Sequence, residues 1–352
     1  MRAAVLVDAK NIELREMPSP DLPKGHLRVR PRYVGLCGTD VHVYRGEFAG
    51  RVTYPRVLGH EFSGVVEACG EDTGTWIQGQ HVVVDPICWC ERCPACLSGQ
   101  VNACSGLKLY GIDMDGGLAE SVVVPESKVF PVPDGLSLKD ASIIELMAVA
   151  CHATRRASIE PGDVVAVLGA GRLGLCLIGV LSTTSAAAII AVDPSPERLE
   201  MAACLGATHT VDPTQTSPLD RVLEWTDGYG ADRAIEAVGH FQPIEGVEPP
   251  CTLAMSMVRN GGRVVVMGQG DQAQSVIWKP FVFKEAQVVA SRVTQGEFPR
   301  ALRLARSKRI SPGRIISKVF PLDRAKEAFH LLDASRPDIL KIVVEMPSCS
   351  SQ

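Results

Sequence analysis

Long apolar runs are missing from this sequence. The most apolar stretches, residues 164–168 and 186–192, fall far short of the roughly 18 residues a bilayer span needs. A secretory leader is not expected either: the first ten residues carry Arg2, Asp8 and Lys10 and have no long apolar core. There is no excess of basic charge. The 36 Lys and Arg stand against 40 Asp and Glu, a formal net charge of -4. Nucleic acid and anionic membrane surfaces are therefore not expected partners. Internal repeats and low-complexity tracts are absent as well. With 46% hydrophobic and 22% charged residues, the expectation is a folded protein of the cytoplasm.

What is present is unevenly placed. The 352 residues suggest two domains. Up to about residue 150, Gly, Pro and short β-like runs alternate: residues 27–34, 64–66, 81–84 and 121–124. Turn clusters such as Pro18-Ser19-Pro20 and Asp115-Gly116-Gly117 separate them, as in an irregular, mostly β domain. The pattern then changes. Residues 163–168 read as a buried strand, 173–181 as a helix, 187–193 as a second strand, and 196–205 as a helix stopped by Gly206. Further strands are expected at 232–238 and 263–267. Such alternation implies a parallel sheet with right-handed crossovers. It is expected to end near an edge strand at 287–293. The tail (helices at 298–307 and 322–334, strands at 316–320 and 339–345) resembles the first domain again. The expected layout is an α/β protein: residues 151–293 form a parallel-sheet cofactor domain, and 294–352 complete the mostly β domain begun by 1–150.

Gly169-Ala170-Gly171-Arg172-Leu173-Gly174 matches G-x-G-x-x-G, a weak signal by itself. Here it follows an expected strand and opens an expected helix, the context that points to a dinucleotide. Gly169 permits the turn, Gly171 lets a pyrophosphate approach the helix N-terminus, and Gly174 allows close packing of helix on strand. Asp193 ends the next strand, placed to accept from ribose hydroxyls and to repel a 2′-phosphate. NAD is thus expected over NADP, although Arg198 stands close enough to offset part of that charge.

Five of the twelve cysteines crowd one loop. Cys90, Cys93, Cys96 and Cys104 have the spacing C-x2-C-x2-C-x7-C, which suits a closed tetrahedral zinc site. The role of Cys88 stays open. A second, dispersed set comprises Cys37, His60 and Glu61, with Glu145 an acid inside an apolar run. Cys, His and carboxylate suit a zinc with one open position, and a buried acid needs a partner or a metal. Composition alone leaves that second metal open.

Together, segment 35–40 (Gly-Leu-Cys-Gly-Thr-Asp), Gly59-His60-Glu61, the cysteine loop and the glycine turn resemble the zinc-containing medium-chain dehydrogenases over essentially the whole chain. The resemblance implies a GroES-like catalytic domain, a Rossmann cofactor domain, and Cys37 and His60 as catalytic zinc ligands. It makes Glu61 an acid that joins or leaves the metal shell, and Thr39 and His42 a proton relay. It also implies that Asp40 orients the zinc-binding histidine. Glu145 stands where ethanol-type enzymes carry a second cysteine, so the resemblance is to the polyol, threonine and butanediol branch. The implied reaction passes a hydride from a secondary alcohol to NAD. Homodimers or homotetramers formed through the edge strand are the expected assembly. A zinc-free quinone-type reductase and a non-catalytic NAD sensor are the rival expectations. Arg45 and Arg51 are either solvated loop residues or holders of an anionic substrate.

Overall fold

The computed structural model describes residues 1–347 apart from Ala49, His240, Asp271 and Gln272; Cys349 thus lies outside the described residues. The chain divides into two compact units, Met147–Val293 and Met1–Leu146 with Thr294–Gln352. No helix among the described residues is long and apolar enough to cross a membrane.

The middle unit is built on six parallel strands. Their spatial order is His209–Val211, Ala188–Val192, Val164–Leu168, Ala231–Glu236, Val258–Val266, Gln287–Ala290. In chain order this is 3-2-1-4-5-6, the doubly wound arrangement, whose strand order reverses beside Val164–Leu168. Helices cover the sheet, so its central strands are buried on both faces and read as unbroken apolar runs. Ala166, Leu168, Ile190, Val192, Val264 and Met257 belong to its core. Local signals set the helix ends. Helix Pro196–Leu205 starts with Ser195, whose hydroxyl accepts the Arg198 N–H, and Pro at the first turn. It stops at Gly206, whose φ of +116° lies in the left-handed region. The strand expected at 263–267 begins earlier, at Val258. Helices Pro218–Trp225, Pro250–Met257 and Trp278–Phe283 carry no signal used above.

The other unit centres on a seven-stranded sheet. Its path runs Val129–Pro131, His81–Val84, Glu61–Cys69, His26–Leu36, Lys341–Glu345, Ile316–Pro321, and Val122–Pro125 also pairs with His26–Leu36. The C-terminal strand Lys341–Glu345 lies antiparallel to His26–Leu36, with Ile342 opposite Leu36. That pairing inserts the tail into the first segment's sheet. An N-terminal hairpin, Arg2–Asp8 with Asn11–Glu16, was not expected. The tail helix expected at 322–334 divides into a 3-10 turn, Leu322–Arg324, and helix Ala325–Asp333.

Candidate metal and dinucleotide sites

The end of strand His26–Leu36 delivers Cys37, which then becomes the N-cap of helix Gly38–Tyr44. Asp40, in the first turn, is the hub of this corner and fully buried. Its Oδ2 accepts the Cys37 N–H at 2.8 Å. Its Oδ1 accepts the Gly59 N–H at 3.4 Å and lies 3.3 Å from His60 Nδ1. One carboxylate therefore braces the cysteine turn and faces the imidazole. Burial pushes the Asp40 carboxyl up, but His60, the Cys37 N–H and Lys341 outweigh it and hold it below its ordinary value.

Ligand atoms of Cys37, His60 and Glu61 all lie within 4.8 Å of one another. Glu61 is 0% exposed and pairs with Lys341, also 0% exposed, from the C-terminal strand. The contact is ionic: among the described residues neither Lys341 Nζ nor either Glu61 oxygen has a hydrogen-bond partner. Gly35 makes room for the pair, since a Cβ there would stand 2.6 Å from Glu61 Oε2 and 3.0 Å from Lys341 Cε. Sequence reasoning missed Lys341 and this use of Gly35. A thiol, an imidazole nitrogen and a carboxylate converging in this way are donor types that suit a zinc with one open position; His60 and Glu61 are buried and Cys37 is half-buried.

Glu145 opens helix Ile144–Ala157 and is buried, but it stands outside that tight trio. It is near enough to feel Glu61 and His60. Burial first, and then the charge of Glu61, push its carboxyl up to about 8. Thr39 Oγ1 lies 4.0 Å from Cys37 Sγ. His42, on the same helix, pairs through Nδ1 with Glu47 and meets Phe48 edge-on. Arg51 is held bidentate by Asp113 at 2.8 and 2.9 Å, and Arg45 pairs with Asp333.

Cys90, Cys93, Cys96 and Cys104 form the second cluster, their sulfurs likewise within 4.8 Å of one another. Cys104 Sγ accepts N–H groups from Cys90 at 3.4 Å and Gly106 at 3.3 Å. Backbone N–H groups of Cys96 and Ser105 pull the Cys93 thiol down to about 6. Such N–H···S bonds favour a thiolate at Cys93, whereas burial and the neighbouring thiols push Cys96 up to about 12, so that a dication would be needed to ionise the whole set. Cys88 is not in the cluster; it sits half-buried in strand Ile87–Cys88, and burial pushes its thiol up.

In the middle unit, a cavity of about 430 Å³ opens beside the glycine turn. Gly169, Gly171, Asp193 and Arg198 line it. Gly169 has φ +95°, and a Cβ on it would stand 2.9 Å from Val238 Cγ2. A Cβ on Gly171 would meet nothing, so the backbone at this helix start is open to a ligand. Gly174 packs beneath the turn, where a Cβ would fall 1.8 Å from Gly169 O. Arg172, Leu173 and Gly174 do not line the cavity. Asp193 is 4% exposed and partly committed: its oxygens accept the Ala170 N–H at 2.8 Å and the Ser195 N–H at 2.9 Å. Arg198 lies 3.9 Å from it. An apolar wall from Phe241, Ile244, Val247 and Leu253 completes the cavity, and no sequence signal announced it.

Known proteins resemble this chain in sequence and fold. Residues 23–134 match the family described as alcohol dehydrogenase GroES-like domain, and residues 173–307 match zinc-binding dehydrogenase. A 2-dehydro-3-deoxy-L-galactonate 5-dehydrogenase of Pseudoalteromonas atlantica is 32% identical, the match covering 98% of each chain. The sorbitol dehydrogenase of Bacillus subtilis is 28% identical over 98% of this chain and 97% of its own. Among solved structures, a putative zinc-binding dehydrogenase of Sinorhizobium meliloti bound to NADP superposes with a TM-score of 0.89 at 31% identity, covering 98% of both chains. An alcohol dehydrogenase of Escherichia coli complexed with NADH gives 0.90 at 29%, covering 98% of this chain and 99% of that one.

Proposed function

The chain belongs to the zinc-binding alcohol dehydrogenases, in their polyol branch, and we propose that it oxidises a secondary alcohol of the polyol, sugar, diol or hydroxy-amino acid class to a ketone with NAD. The convergence of Cys37, His60 and Glu61, with ligand atoms all within 4.8 Å of one another, carries this reading. It weighs against a zinc-free reductase, which has no use for these ligands. In this reading residues 1–150 with 294–352 are the catalytic domain and 151–293 the cofactor domain.

Cys37, His60 and a carboxylate, Glu61 or Glu145, hold the catalytic zinc; Cys90, Cys93, Cys96 and Cys104 hold a structural one. When bound, the first zinc supplies Lewis acidity that lets an alcohol lose its proton near neutral pH, and the nicotinamide supplies the hydride acceptor. Asp40 keeps the His60 ring in one orientation and one tautomer. The Thr39 hydroxyl would accept the alcohol proton as it gives up its own toward the cofactor ribose, and His42, partly exposed and paired with Glu47, would release a proton to solvent. The engagement of Arg45 and Arg51 by Asp333 and Asp113 argues against an anion-holding role for either.

The dinucleotide is held at Gly169 and Gly171. NAD is preferred because the Asp193 carboxylate sits at the cavity wall; Arg198 offsets it in part. The relatives carry either dinucleotide, so this preference rests on Asp193 itself. The protein works in the cytoplasm, where reduced thiols keep both zinc sites intact. It assembles with copies of itself. Exposed Trp278, Val282 and Phe283 flank the unpaired edge of Gln287–Ala290, the kind of apolar surface a second copy covers. The test is a panel of sugars, polyols, diols, threonine and simple secondary alcohols, each with NAD and with NADP, alongside elemental analysis. No turnover on any alcohol by zinc-replete protein defeats the proposal.

A further inference from the structure

Strand Ala231–Glu236 ends in a carboxylate that does not itself line the cavity beside the glycine turn. Glu236 is 1% exposed. A charge buried so deeply needs donors, and three backbone N–H groups supply them. Val238 and Gly239 donate to Oε1 at 2.8 and 2.9 Å, and Gly268 donates to Oε2 at 3.0 Å. The two oxygens therefore bridge two loops, one after strand Ala231–Glu236 and one after its parallel neighbour Val258–Val266.

Two glycines fit around that carboxylate. Gly239 has φ +71°, in the left-handed region, which turns its N–H back onto the carboxylate. Gly268 admits no side chain: a Cβ would stand 2.3 Å from Gly239 N and 2.5 Å from Glu236 Oε2. What this clamp holds is a wall of the cavity. Ala237 and Val238 line it together with Gly169 and Gly171. Val238 abuts Gly169 directly, and the Ala237 N–H donates to Leu168 O at 2.9 Å, tying the wall to the glycine turn.

We propose that Glu236 is a positioning residue for the dinucleotide: its buried carboxylate locks the two loops so that Ala237 and Val238 hold the cavity open beside the glycine turn. The proposal rests on the reading of that cavity as the dinucleotide site. Glu236→Gln keeps the size of the side chain. Its carbonyl still accepts from Val238 and Gly239, but its amide group then faces the Gly268 N–H, donor against donor. Gly268→Ala strains the same clamp without changing charge.

The test is NADH affinity, read by fluorescence titration of the full-length, zinc-replete protein without alcohol. Both variants are expected to bind about tenfold more weakly, the scale of one lost charge-assisted hydrogen bond. Zinc content should stay unchanged, and the loss should appear in the KM for NAD rather than in kcat at saturating NAD. Affinity within twofold of the parent in both folded variants overturns the proposal. Failure of both to fold at any temperature overturns it too, because the carboxylate then serves the fold rather than the site. An unmutated protein that binds no NADH refutes the dinucleotide reading itself, a result distinct from either of these.

Discussion

Replacing Lys341 by Met takes away the cation paired with a fully buried carboxylate. Both side chains are 0% exposed, and among the described residues the Glu61 oxygens have no hydrogen bonds to fall back on. Removing one partner of such a pair typically costs about 3–5 kcal/mol, because the remaining charge stays buried. For a unit of this size class each kcal/mol moves Tm by roughly 2–4 °C, so Lys341→Met should lower the melting of zinc-depleted protein by about 10 °C. Zinc changes that figure. A cation beside Glu61 substitutes for the ammonium, so the zinc-loaded variant should lose markedly less. The double variant Lys341→Met, Glu61→Gln removes the orphaned charge and should recover most of the loss. Differential scanning calorimetry of the four proteins, with and without zinc, reads the cycle. If Lys341→Met costs zinc-depleted protein less than about 1 kcal/mol, Glu61 is satisfied in some other way and the reasoning fails.

Three other changes separate the parts of the site. His60→Ala should abolish turnover with the fold retained, whereas Cys93→Ser should chiefly lower thermal stability; elemental analysis should find each variant about one zinc short of two per chain. Asp193→Ala should raise NADP use relative to NAD by tenfold or more, on the scale of one removed charge, while weakening both cofactors because the Ala170 and Ser195 N–H groups lose their acceptor; a parent enzyme that already prefers NADP would refute this. Glu145→Gln should cut kcat and zinc retention with little change in NAD affinity. In zinc-depleted protein, the raised Glu145 carboxyl keeps its proton up to about pH 8, whereas the unfolded chain releases it near the usual carboxylate value. The folded state therefore binds more protons across that window, stability falls as pH rises through it, and Glu145→Gln should flatten the fall.

The dinucleotide half was legible because its signals are local. A run of buried residues, a glycine turn and a terminating Gly206 each act within a few positions. Helix Pro196–Leu205 was accordingly placed to the residue. The cysteine loop is local in the same sense. Lys341 was hidden for the opposite reason. Its meaning depends on a strand pairing that brings residues from the two ends of the chain side by side, and alternation would have turned it toward water. The strand is instead buried over Lys341–Val344, because the sheet is covered on both faces there. The apolar wall of the cavity was illegible too. It follows no period, and only the path of the loop after Glu236 gathers it.

The charges around the catalytic site bear on which acid completes the metal shell. Asp40 faces His60 Nδ1, and Glu61 pairs with Lys341. Among the described residues Glu145 has neither a hydrogen bond nor an ion pair; burial and the charge of Glu61 push its carboxyl up to about 8 against the pull of His60 and Lys341. A dication held by a thiolate and a carboxylate must release their protons on binding. Only Oε2 of Glu61 faces Lys341, and Oε1 has no hydrogen bond among the described residues, so Glu61 can stand with Cys37 and His60 without giving up its lysine, whereas Glu145, outside that trio, must first lose its proton.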